Sequence, residues 1–195
     1  MFSLKKVNIK ALLREHRDIL LFLLVVLAFH LFWKIGREAD ATDRIIYFYG
    51  INFSPFFSMI SEQWTALIYH FVHWFKGDVI EWLYCNLHYT DNDTGIRIVW
   101  GCSGVKESIM TLLVIVTARG RWKLKLAYIP AGVAFILLLN FIRLTSLTFL
   151  VHHHMHWFDF VHGVVFRFVM YGGIFLVWLI WIEKIQIKHR RTETL

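Results

Sequence analysis

The sequence predicts an all-α membrane protein: a multipass helical bundle of about four spans, with six as the alternative, carrying external interfacial helices and a short β-hairpin. Three observations predict it. Of the 195 residues, 57% are hydrophobic and 17% aromatic, above the roughly 45–50% apolar content of a soluble domain. The apolar residues gather into runs of membrane-spanning length, and the basic residues gather between those runs.

A bilayer-crossing helix needs about 20 largely apolar residues. The first run, Ile19 to Ile35, is interrupted only by His30 and Lys34, and no small-residue cleavage site follows it, so it does not read as a signal peptide. The second, Gly104 to Ala118, covers only about 22 Å at 1.5 Å per residue and has to draw on Trp122 and on snorkelling Arg119 and Arg121. The third, Leu124 to Ile142, contains Lys125 and Pro130, and the fourth, Val164 to Ile182, contains Arg167. Residues 1–18 carry Lys5, Lys6, Lys10, Arg14 and Arg17. The link after the second run carries Arg119, Arg121, Lys123 and Lys125, and the tail carries Lys184, Lys188, Arg190 and Arg191. Together these segments hold 13 of the 21 Lys and Arg but 4 of the 14 acids, which the positive-inside rule assigns to the cytoplasm. The expected layout is a single multipass domain over 1–195 in the plasma (inner) membrane. Residues 1–18 and 183–195 are cytoplasmic tails, 37–103 is external, and 104–182 forms the core spans.

Within the external segment, Ile45–Ile60 and Gln63–Phe75 are apolar but broken by Asn52, Pro55, His70 and His73. They read as interfacial or re-entrant helices, with an extra membrane hairpin as the alternative. Leu87–Thr90 and Ile96–Trp100 flank the polar turn Asp91-Asn92-Asp93-Thr94-Gly95, which reads as a β-hairpin.

The formal charge of +7 does not point to nucleic acid, because the basic residues form no face on a soluble body. Two cysteines exclude a disulfide-dense scaffold and a four-cysteine metal site in one chain. On the expected layout Cys102, Arg143 and His162 all arrive at the external ends of spans, at one membrane depth. A thiolate is a nucleophile favoured at a helix N-terminus or beside a cation. Histidine exchanges protons near neutral pH, and a guanidinium donates in a fixed fork to a developing oxyanion. The set is coherent for acyl transfer. Ser103 and Gly104 follow the cysteine, and Gly101 and Gly104 allow close approach of a substrate backbone. Asn140, three residues before Arg143, shares its helix face, to orient the guanidinium or add a donor. Arg167 lies about 140° around an α-helix from His162 and reads as either a second cation of the site or a snorkelling residue. Taken singly, Cys102 is a small buried hydrophobe, Arg143 an interfacial anchor and His162 a polar helix start. Cys85 reads as structural, and Lys106 and Glu107 read as a surface pair.

Gly101-Cys102-Ser103-Gly104-Val105, Asn140-Phe141-Ile142-Arg143 and Phe158-Asp159-Phe160-Val161-His162, followed by Tyr171-Gly172, resemble the exosortase/archaeosortase family over about half of the chain. The resemblance implies a multipass cysteine transpeptidase, a hydrolase acting on peptide bonds in protein sorting. Its substrates would be membrane-anchored proteins with a C-terminal sorting signal, made of a short motif, an apolar helix and a basic tail, cut near the outer face and passed to an acceptor nucleophile. It implies Cys102 as nucleophile, Arg143 as oxyanion- or substrate-orienting cation and His162 as proton-transfer residue, with no cofactor and no metal. Two other classes stand beside it, a noncatalytic membrane scaffold and a metal- or haem-binding membrane protein. The His152, His153, His154, His156 and Met155 cluster carries metal-ligand chemistry, but consecutive side chains point in different directions, and an interfacial external segment is the preferred reading.

Overall fold

The structure, a computed structural model, describes residues 17–39 and 45–186. The basic residues Lys5, Lys6, Lys10 and Arg14, and Lys188, Arg190 and Arg191 of the tail, lie outside the described residues. Helix α1 spans Arg17–Gly36, with Asp18 in its first turn and Lys34 in its last, each favourably placed on the helix dipole. It stops at Gly36, whose carbonyl accepts from Tyr49 N at 2.9 Å. A Cβ there would lie 2.1 Å from the Tyr49 ring, so the approach requires glycine. Strands β1 (Arg37–Ala39), β2 (Ile46–Phe48) and β3 (Ile51–Asn52) form one antiparallel sheet. Helix α2, Ser54–Lys76, follows with Pro55 in its first turn and Ser54 N donating to Asn52 Oδ1 at 2.9 Å. It ends at Gly77, φ +63°.

Strands β4 (Ile80–Leu83), β5 (Asn86–Tyr89) and β6 (Thr94–Arg97) make the second sheet. The β5–β6 pair has Leu87 opposite Ile96 and Tyr89 opposite Thr94. Leu87, Tyr89 and Ile96 face the core while His88 and Gly95 are exposed, the period-two alternation that fixes register. Helix α3 is Val105–Thr117 and helix α4 is Trp122–His154. Short helical turns over Met155–Trp157 and Phe158–Phe160 and a π-helical turn over Val161–Val165 lead into helix α5, Phe166–Ile180. Tyr128 Oη donates to Val177 O at 2.8 Å, and the site of a Cβ on Gly173 lies 2.4 Å from Leu139 Cδ1. Helices α4 and α5 therefore run antiparallel at close range.

These elements correct the expected architecture. The chain is not an all-α bundle of four to six spans: among the described residues two helical stretches are long and apolar enough to cross a membrane, Arg17–Gly36 and the 62-residue Trp122–Glu183, and two small sheets accompany them. The run read as a second span forms a helix of 13 residues, about 20 Å long at 1.5 Å per residue and too short for a hydrocarbon core of about 30 Å. The runs read as third and fourth spans belong to one helical stretch that doubles back through the 155–165 turns. Of the two segments read as interfacial helices, the first contributes strands β2 and β3 and only its end joins α2. Lys125, read as a cytoplasmic loop cation, is buried. Its Nζ donates to Val116 O at 2.6 Å and to Ala118 O and lies 4.8 Å from the Trp122 ring centre. It satisfies carbonyls that the end of α3 leaves open.

Two cores flank α4. Phe22, Met110, Ile115, Ile136, Ile174 and Trp181 join α1, α3, α5 and the first half of α4. Ile68, Val72, Ile80, Leu87, Leu144 and Leu147 join α2, the second sheet and the second half of α4. At the far end of α4, His152 Nε2 meets Asp91 Oδ2 at 2.8 Å, and Asn92 Nδ2 donates to His152 O at 2.8 Å, clasping the β5–β6 turn to the helix.

Gly132 lies between α5 and α3, where a Cβ would be 3.0 Å from Val177 Cγ1 and 3.3 Å from Ile115 Cδ1. Gly132→Leu is expected to lower stability by about 1–3 kcal/mol through overpacking, read as the thermal midpoint in detergent; an unchanged midpoint rejects tight packing there. The His152 hydrogen bond holds the Asp91 carboxyl below its usual value of 3.8. A carboxyl lowered in the folded state contributes stability in full above its unfolded value, and that contribution is lost as pH falls through the folded one. As pH falls below the usual carboxyl value the native chain should therefore lose more stability than Asp91→Asn, and equal acid sensitivity of the two proteins would discount the clasp.

Candidate active site

Midway along α4, where the two cores meet, Asn140 is fully buried and Arg143 is 8% exposed. An apolar helix carries such residues only where the fold supplies partners. Arg143 finds one across the helical hairpin, its Nη2 lying 3.1 Å from His162 Nε2. A guanidinium only donates, so Nε2 accepts and the imidazole proton sits on Nδ1. The ring stacks on Phe158, with centres 5.4 Å apart and planes 3° from parallel, and its orientation is fixed from two sides.

Asn140 does not serve the guanidinium. Its Nδ2 donates to Cys102 O at 2.9 Å, anchoring the turn Trp100–Cys102, in which Cys102 N donates to Val99 O at 2.8 Å. Ser103 is buried. Its Oγ accepts from Val105 N at 3.3 Å and its carbonyl accepts from Trp64 Nε1 at 3.0 Å. Gly104 has φ +72°, and a Cβ there would sit 3.2 Å from the Asn140 amide. Glycine is required twice over, by backbone conformation and by the close approach of Asn140. The Cys102 loop is thus locked to α4 one turn before Arg143.

Cys102 itself is 7% exposed and packs in the second core with Leu144, Phe141, Phe158 and Val161. Gly101 beside it lines a chamber of about 530 Å³ whose wall includes Arg143, His162 and Arg167. The structure thus joins Arg143 to His162, brings Arg167 to the same chamber and holds Cys102 next to its wall. Arg167 joins because residues 161–165 form a π-helical turn. Its i→i+5 hydrogen bonding brings residues five apart toward one face, where an α-helix would splay them.

His30, Lys34, Arg37, Lys106 and Tyr171 also line the chamber and were missing from the sequence-derived site. His30 and Lys34 are the two polar interruptions of the first apolar run, spaced i, i+4 on one helix face, a signal that was present in the sequence. His30 Nδ1 lies 3.0 Å from Tyr171 Oη and 3.2 Å from Lys106 Nζ. Lys106 therefore turns inward to His30, whereas the sequence placed it in a surface pair with Glu107. Burial holds its ammonium below the usual lysine value, with Arg37 and Arg167 acting in the same direction and Glu107 opposing them.

The other cysteine differs. Cys85 lies in a separate cleft with Ser61 and Arg97, and burial, aided by Glu62, pushes its thiol up, which disfavours the thiolate. Among the described residues no group of three or more His, Cys, Asp or Glu could hold a metal ion, and His152 is engaged by Asp91. Comparison with profiles of known protein families, with curated proteins and with solved structures finds no match to the chain.

Asn140→Ala leaves the Cys102 carbonyl without its donor. In a Cys85→Ser background it is expected to lower stability by about 1–3 kcal/mol and to raise the rate of Cys102 alkylation by a maleimide severalfold through local opening. An unchanged alkylation rate means that Asn140 does not hold the cysteine loop.

Proposed function

We propose that the chain is an exosortase-like transpeptidase that acts through Cys102, Arg143 and His162 on membrane-anchored proteins bearing a C-terminal sorting signal. The observation that carries the reading is the 3.1 Å contact between Arg143 and His162, on a chamber wall shared with Gly101, the neighbour of Cys102. The order of the Gly-Cys-Ser-Gly, Asn-x-x-Arg and His blocks supports it. So does the apolar surface of α1, where Leu23, Leu24, Leu27, Phe32 and Ile35 are all exposed, an arrangement suited to lipid contact.

In the proposed reaction His162 accepts the Cys102 proton as Sγ attacks the carbonyl carbon of the scissile peptide bond. The guanidinium of Arg143 stabilises the oxyanion. Collapse breaks the C–N bond, the proton passes to the leaving amine, and the substrate's own membrane tail departs. The acyl group remains on Cys102 as a thioester until an acceptor amine, hydroxyl or water takes it. The Arg143 hydrogen bond keeps His162 Nε2 unprotonated, the state a base requires, and yields when the oxyanion competes for the guanidinium. The concentration of basic residues in 1–18 and in the tail supports a plasma-membrane location, with both termini cytoplasmic and the chamber facing outside.

The test is co-expression with a reporter ending in a candidate motif, an apolar helix and a basic tail. Cys102→Ala should abolish processing while membrane insertion persists, and Arg143→Lys should slow it by about 100-fold or more, since an ammonium cannot reproduce the fork. Undiminished processing by Cys102→Ala removes the nucleophile from the proposal.

A further inference from the structure

We propose that the chamber beside the Arg143–His162 pair binds a phosphate monoester, whose oxygens accept from Lys34, Arg37, Lys106 and Arg167. The inference stands on the chamber itself and does not require the peptidase reading. Five fixed cations, those four and Arg143, line the space against a single carboxylate, Glu107. That excess is more than one carboxylate ligand balances, and it suits a phosphate monoester carrying about −1.5 to −2 at neutral pH.

The cations come from three helices and a strand: Lys34 from α1, Arg37 from β1, Lys106 from α3 and Arg167 from α5. Two of them are held in place. Arg37 lies 4.9 Å from the Trp100 ring centre and Lys106 is bonded to His30, so less side-chain entropy is lost on binding. A chamber of about 530 Å³ lies within the usual range of small-molecule sites, about 300–1,000 Å³, and holds more than a bare phosphate. Helix α1, which supplies His30 and Lys34, also exposes Leu27, Leu31 and Ile35. Acyl chains attached to the phosphate thus find apolar surface on the same element.

The experiment titrates the full chain in neutral detergent with inorganic phosphate, with dihexanoyl phosphatidic acid and with dihexanoyl phosphatidylcholine, read by calorimetry. Phosphatidic acid is expected to bind once per chain, more weakly as salt is raised, with phosphatidylcholine failing to compete. Arg37→Gln and Lys106→Gln should each weaken binding by about tenfold or more. Lys123→Gln, on the exposed start of α4, and Cys102→Ala should bind as the native chain does, so that loss of peptidase activity and loss of phosphate binding separate. Comparable binding of inorganic phosphate assigns the site to the free anion, and binding of phosphatidic acid alone assigns it to a lipid headgroup; either result supports the proposal. Absence of saturable binding to the native chain overturns it. So does equal binding of phosphatidylcholine, or native affinity in folded Arg37→Gln and Lys106→Gln. If both variants fail to fold, competition and salt dependence on the native chain decide the matter.

Discussion

A buried amide and a buried guanidinium, one helical turn apart in the middle of a long apolar helix, set the terms for much of this fold. Asn140 and Arg143 sit where α4 passes from one core to the other. In water each would be hydrated. Inside the protein each must be met by something the chain brings to it. Asn140 is met by the Cys102 carbonyl, which ties the loop before α3 to α4. Arg143 is met by His162, which ties the returning arm to the same point. Much of what converges on the chamber does so because these two side chains have to be satisfied.

The small residues make that convergence sterically possible. Gly104 gives up a side chain to let Asn140 in, and Gly132 and Gly173 let α5 and α3 lie close on α4. Lys125 plays a comparable role at the opposite end of α3, where its ammonium serves carbonyls that the helix cannot serve internally. Each is a local concession that permits tight packing elsewhere, and interiors at native density amplify small changes at such points.

Some of this was legible in the residues. The polar turn at 91–95 between β-prone runs marked the β5–β6 pair, because alternation and turn chemistry are local. Arg167 inside the fourth apolar run was marked as costly in hydrocarbon, because that cost is a property of the residue. The number of spans was not legible. Hydropathy measures apolar length, and the run at 104–118 is apolar without making a helix long enough to cross. The role of Asn140 was not legible either: spacing places it on one face with Arg143, while its partner is 38 residues away in sequence.

The sequence by itself determined the apolar character of the chain, the presence of an apolar helix around 19–35, the local hairpin at 86–97 and the chemical types available for a site, since these follow from composition and short-range periodicity. Tertiary structure alone decided that two helical stretches among the described residues have spanning character, that Lys125 and Lys106 turn inward, and that Arg167 faces the same chamber as His162. The physical reason is distance along the chain. A π-helical turn changes which residues share a face, and a hydrogen bond between α4 and a remote loop depends on packing that no local window contains.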